Sequence, residues 1–168
     1  MKKLLVILSC ILSFGALAQS PASPPAVASQ KVGNAQVLIK YAKPSVKGRL
    51  VFGTKEQKAL VPYGEVWRTG ANEATTIEFS TDVLVQGKPL GKGVYSLLSI
   101  PGPSEWTIIF NKESKMWGAY TYKAEQDALR VTAKPSEHAI TEQFSIAVSE
   151  TGQVTLDWDK TSVSFYVK

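Results

Sequence analysis

Apolar residues recur at every second position over most of this chain, and that period leaves few architectures open. Thr75, Ile77 and Phe79 alternate with Thr76, Glu78 and Ser80, and Trp106, Ile108 and Phe110 alternate with Thr107, Ile109 and Asn111. Successive side chains of a strand point to opposite faces, so each run gives a sheet one apolar face. The rhythm returns at Phe144, Ile146 and Val148, at Val154, Leu156 and Trp158, and at Val163, Phe165 and Val167, predicting a three-strand meander with turns at Thr151-Gly152 and Asp159-Lys160. Val37 to Tyr41, Arg49 to Phe52, Asp82 to Gln86, Val94 to Ile100 and Leu129 to Ala133 supply further strands, punctuated by Gly87, Gly91, Gly93, Pro101, Gly102 and Pro103. About nine or ten short strands with no interleaved helices predict an all-β fold, an antiparallel β-sandwich, with a closed β-barrel as the alternative. Helical character is confined to a turn at Lys55 to Leu60 or at Lys123 to Ala128.

The N-terminus has the three parts of a secretory signal: Lys2 and Lys3, an apolar run from Leu4 to Leu17, and the small residues Ala16 and Ala18. Cleavage after Ala18 is expected, and the protein is expected to be periplasmic or secreted. The run falls short of the roughly 20 apolar residues of a membrane span, so no span is expected after cleavage. Cys10 would leave with the signal, taking thiol, disulfide and cysteine-metal chemistry with it. Gln19 to Gln30 reads QSPASPPAVASQ, which offers too little apolar surface to offset the entropy of ordering. Residues 19–31 are therefore expected to be a flexible tether and residues 32–168 a single domain.

Chemistry-bearing residues are few. His138 is the only histidine, set in a KPSEHAI segment that reads as an exposed loop, so a zinc site lacks ligands and no serine elbow supports a Ser-His-Asp arrangement. No calcium loop is present; neither a metal nor a cofactor is expected. The formal charge of +5 falls to +3 when Lys2 and Lys3 are removed, and no nucleic-acid motif accompanies it. The basic run Lys40, Lys43, Lys47, Arg49, Lys55 and Lys58 reads as a strand edge guarded by lysines before it reads as a polyanion patch.

The segment from Val61 to Ser80, VPYGEVWRTGANEATTIEFS, concentrates the useful side chains. Tyr63, Trp67, Arg68, Asn72 and Glu73 are what a site for a sugar or a small carboxylate ligand contains: a stacking platform with convergent polar groups. An equally good reading makes the loop a clasp, with Trp67 plugging the end of the sandwich and Arg68 pairing with Glu73. Catalysis is the weaker use. Glu65 and Glu73 are the acidic pair nearest the aromatic residues, and glycoside hydrolysis needs two carboxylates about 5 to 9.5 Å apart.

The runs YAKPSVKGRLVFG (41–53), LVPYGEVWRTGANEATTIEFSTDV (60–83), GVYSLLSIPG (93–102) and EWTIIFNKESKMWGAY (105–120) resemble the exported bacterial family called domain of unknown function 2911. They lie within Tyr41 to Tyr120, about half of the chain, and VPYGxVWRTGANEAT is their most specific part. The resemblance implies export and a compact domain; it implies no activity. It adds Arg49, Trp106, Asn111, Trp117 and Tyr120 as positions of the family pattern. Such proteins often carry Arg where this chain has Lys43, and Ala-Gly-Thr-Tyr where this chain has Gly91 to Tyr95. The leading expectation is a non-enzymatic module that binds a glycan, a small carboxylate ligand or an envelope component. A hydrolase of an envelope carbohydrate or ester and a structural envelope protein are the alternatives.

Overall fold

The computed structural model describes residues 22–168, and the expected signal segment 1–18 and Gln19 to Pro21 lie outside them. Twelve strands run in chain order: β1 Pro25–Val32, β2 Ala35–Ala42, β3 Phe52–Gly53, β4 Val61–Pro62, β5 Thr76–Phe79, β6 Val83–Val85, β7 Lys88–Leu90, β8 Gly93–Ile100, β9 Trp106–Asn111, β10 Asp127–Ala133, β11 Pro135–Val148 and β12 Gln153–Tyr166. A single 3-10 turn at Ala124–Gln126 is the one helical element among the described residues, within the Lys123 to Ala128 window expected to turn. No helix there is long and apolar enough to cross a membrane.

Six strands form one antiparallel sheet in the order β1-β2-β5-β8-β9-β10. The opposing layer is built on the long β11–β12 hairpin. β6 docks beside the end of β12, with the Leu84 amide donating to the Lys168 carbonyl at 2.8 Å and the Gln86 amide to Tyr166 at 2.9 Å. Inward residues of both layers, among them Ile39, Ile77, Leu97, Phe110, Phe144, Leu156 and Phe165, share one core. The fold is therefore an all-β sandwich, and the sheets do not close into a barrel.

β2 alternates buried and exposed positions as a one-face strand should, whereas β8 and β9 are buried on both faces. The outer faces of β8 and β9 are covered by a second apolar cluster in which Leu98 and Ile109 pack with Ala74 and Met116, flanked by Val66 and Tyr122. Ala74 and Val66 come from the VWRTGANEAT segment, Met116 and Tyr122 from the stretch after β9. Both loops are thus anchored on the back of the sandwich.

Four expectations are corrected. Pro25 to Gln30 is not tether but most of β1, paired from Pro25 opposite Ala42 to Val32 opposite Ala35 across the two-residue turn Gly33-Asn34. Its small side chains contribute little burial, and the ladder to β2 holds it instead. The meander has two long strands, not three short ones, because Asp159-Lys160 lies inside β12. Asp159 takes a left-handed φ of 55° opposite Thr141, where the register shifts, so the residues read as a turn form a bulge. KPSEHAI is not a loop, since Pro135 to Ile140 opens β11 and leaves His138 half-buried. Finally, Lys40 lies in β2, flanked by β1 and β5, and Lys43 to Lys58 lie mostly in the loops beyond it, so the basic run is no strand edge.

Candidate functional site

The signature segment is an excursion from a strand. Trp67 pairs with β8, its amide donating to the Ser99 carbonyl at 2.7 Å and its carbonyl accepting the Ser99 amide at 3.0 Å; the chain leaves, and rejoins where the Leu97 amide reaches the Thr75 carbonyl at 2.8 Å. The neck is closed by the Thr75 amide on the Arg68 carbonyl at 3.1 Å and by the Thr75 hydroxyl on the Thr69 carbonyl at 2.6 Å. Thr69 and Ser99, both fully buried, share a hydroxyl hydrogen bond of 3.0 Å. Arg68 to Ala74 therefore form a loop with fixed ends. Its far arm pairs with the stretch after β9: the Ala74 amide donates to Met116, the Gly118 amide to Asn72, and Glu73 stands opposite Trp117 in an isolated bridge.

Several sequence candidates face inward. Trp67 is 8% exposed and its ring meets Phe52, Trp106, Phe144 and Trp158 at centroid distances of 5.3 to 6.2 Å, nearly parallel to Trp158. Its indole N–H donates to the Gly70 carbonyl at 3.1 Å, which ties the loop to the core. Any side chain at Gly70 would crowd the Thr75 hydroxyl and the Ala42 carbonyl, at 3.0 and 3.1 Å from its Cβ. Asn111 is fully buried; its amide donates to the Lys123 carbonyl and the Asp127 carboxylate and accepts the Glu113 amide. The same carboxylate accepts the Tyr122 hydroxyl and Arg130, and burial, followed by that hydrogen bond, pushes the Tyr122 phenol above its usual range. Arg49 is exposed, but it folds its guanidinium back on the Ser45 and Val46 carbonyls. These side chains are spent on the fold.

The remaining candidates face outward, in three places. Asn72, Glu73 and Trp117 line a groove of about 540 Å³ between the far arm of the loop and the outer face of β1 and β2. Its lining is largely apolar, including Ala26, Val27, Tyr41 and Ala42, with Lys40 on the same wall. Trp117 is 62% exposed there, and the Asn72 amide touches the Ser23 carbonyl at 3.4 Å. Arg68 and Tyr120 line a smaller pocket of about 230 Å³, the guanidinium carbon 5.6 Å from the Tyr120 ring centre. One guanidinium N–H donates to the Asn72 carbonyl at 2.8 Å, so the Arg68 to Glu73 pairing of the clasp reading is replaced by a backbone contact. Tyr63 lies apart, in a cleft with Gly102, Pro103 and Glu137.

The β1 wall of the groove was missed from sequence because Ser23 to Val27 were read as tether. Gly33-Asn34, a two-residue hairpin turn between alternating runs, was the signal that could have found it. His138 places Nε2 3.9 Å from an Asp157 carboxylate oxygen, with no hydrogen bond. Among the described residues no three His, Cys, Asp or Glu side chains gather as a metal site would require.

Fold and surface together define an all-β sandwich domain that displays an aromatic-rimmed groove on the back of its larger sheet. Residues 23–167 match the family model described as Protein of unknown function (DUF2911), and the chain belongs to that family. No curated protein and no solved structure matches it.

Proposed function

We propose that this protein is an exported, non-enzymatic binding module that takes a glycan of the cell envelope in the groove between Trp117 and β1. The observation that carries the reading is the Trp117 indole, well exposed beside an apolar groove whose rim offers the Asn72 amide, the Glu73 carboxylate and the Lys40 ammonium. A pyranose ring has an apolar face and a polar edge, and an exposed tryptophan with amide and carboxylate neighbours complements both. Trp67 and Trp106, the other tryptophans of the pattern, are committed to the core and leave Trp117 as the platform. Among the described residues Glu73 is the one acidic side chain lining the groove, which favours holding a sugar over hydrolysing it, since glycoside hydrolysis ordinarily uses a carboxylate pair. Export is supported by the signal-like residues 1–18.

Retention on isolated peptidoglycan and titration with soluble N-acetylglucosamine oligosaccharides test the reading. Trp117→Ala and Asn72→Ala should abolish retention, while Tyr63→Ala, in a separate cleft, should not. Equal retention of all three variants and the parent would sink it.

A further inference from the structure

We infer that the pocket formed by Arg68 and Tyr120 is a second subsite, one that takes the carboxylate of an acidic sugar whose neighbouring ring lies in the Trp117 groove. The inference rests on reading that groove as a glycan site. Charge comes first. Among the described residues two ionic side chains line the pocket, Glu65 and Arg68, and Glu65 is spent on Lys55 at 2.6 Å. Arg68 is left as the uncompensated charge, set among Leu60, Val66 and Ala119. A guanidinium has five donors, and Arg68 uses one of them on the Asn72 carbonyl among the described residues. A planar fork with open donors and apolar walls suits a planar monoanionic carboxylate, which it can hold through two parallel hydrogen bonds.

Preorganisation comes second. Gly118 has a left-handed φ of 69°, and a Cβ there would lie 2.9 Å from the Tyr120 ring and 3.2 Å from the Arg68 guanidinium carbon. Backbone, ring and cation are packed as tightly as a glycine allows, so the cation is held by the Asn72 carbonyl on one side and by the ring on another. A cation fixed in this way loses little freedom when a ligand arrives.

Continuity comes third. Asn72 serves both places, its carbonyl anchoring Arg68 and its side chain rimming the groove. Trp117 and Tyr120 are three residues apart, so their Cα atoms are separated by at most about 11 Å. One ligand of two or three rings reaches both.

The test uses a galacturonic acid trisaccharide, its methyl ester, and an acetylated dipeptide with a free carboxylate, each titrated against the exported form of the protein. The acid should bind at least about tenfold more tightly than the ester, with an affinity that falls as salt is added, while ester binding holds steady. Arg68→Gln, which keeps a donor but not the charge, should bring acid down to the level of ester. Gly118→Ala, which retains the charge, should do the same by displacing the guanidinium. Trp117→Ala should weaken both sugars alike. Equal binding of acid and ester to the parent protein, at any salt, overturns the subsite and leaves the groove reading standing if Trp117→Ala still weakens both. Binding of the dipeptide acid with neither sugar overturns the sugar assignment, and so does failure of all three probes. The salt series needs no variant, so loss of folding in Arg68→Gln leaves the inference open to refutation.

Discussion

Replacing Trp67 by alanine tests whether the signature loop is tied to the core in the way its contacts imply. The indole is 8% exposed and touches four other aromatic rings. Burying a tryptophan removes roughly 150 to 250 Å² from water, which at about 25 cal/mol per Å² amounts to about 4 to 6 kcal/mol. Alanine keeps part of that, and the cavity relaxes in part. The lost indole hydrogen bond adds about 1 kcal/mol and strands the Gly70 carbonyl. The expected cost is about 4 kcal/mol, within the range typical of Trp→Ala in cores. For a domain of this size the midpoint should fall by roughly 8 to 16 °C. Urea melts followed by far-ultraviolet circular dichroism measure the cost directly, and Trp67→Phe, which keeps a ring but no donor, should lose about 1 to 2 kcal/mol. Trp117→Ala is the counterpart: an exposed side chain should cost no more than about 0.5 kcal/mol. A Trp67→Ala cost below about 1 kcal/mol, or equal costs for the two tryptophans, would refute the division between an inward and an outward half of the site.

Further outcomes follow from other contacts. Asn111→Ala removes three internal hydrogen bonds from a fully buried position and should cost about 2 to 3 kcal/mol in the same melts; a neutral result would contradict its assignment to the fold. The Tyr95 and Tyr122 phenols are both pushed above their usual value of 10.0, first by burial. Folding therefore favours their protonated forms, so their contribution is complete below about pH 10 and is lost as pH rises through the higher folded values. Melting temperature should decline in that alkaline window, and Tyr122→Phe should flatten part of the decline. Tyr122→Phe melts that track the parent at every alkaline pH would dismiss the coupling. Hydrogen exchange addresses β1: alternate amides from Ala26 to Val32 should exchange slowly, as ladder donors do. Uniformly fast exchange would return Pro25 to Gln30 to a tether.

Period-two alternation made the sandwich legible because strands such as β2 and β5 bury one face each. It failed where another force held the chain. β1 is rich in Ala, Ser and Pro and is held by its ladder to β2, so composition pointed to disorder. Asp159-Lys160 looked like a turn because polar residues interrupt the apolar rhythm there, yet a bulge absorbs one irregular residue without ending a strand. Site legibility divided in the same way. The residue types of the VWRTGANEAT segment announced a specialised loop, but which side chains turn inward depends on pairing to β8 that no local pattern reveals. Trp117 entered only through a family resemblance, since one exposed tryptophan in KESKMWGAY has no periodicity to mark it.

The choice between site and clasp dissolves once the geometry of an extended backbone is applied to the segment. Trp67 and Arg68 are neighbours in a stretch paired with β8, and adjacent residues of such a stretch face opposite sides. Trp67 enters the shared core, while Arg68 reaches the outer surface beside Tyr120. The Trp67 indole then fixes the Gly70 carbonyl, and Arg68 fixes the Asn72 carbonyl, so one dipeptide anchors both halves of the following loop. Asn72 and Glu73 are consequently delivered to the groove by a loop whose position is set from within the core. Outward substitutions should change affinity at constant stability, and inward ones should change stability first. A substitution that moves both together belongs at the joint, and Gly70, which accepts from the core and precedes the arm that lines the groove, is the residue where that behaviour is expected.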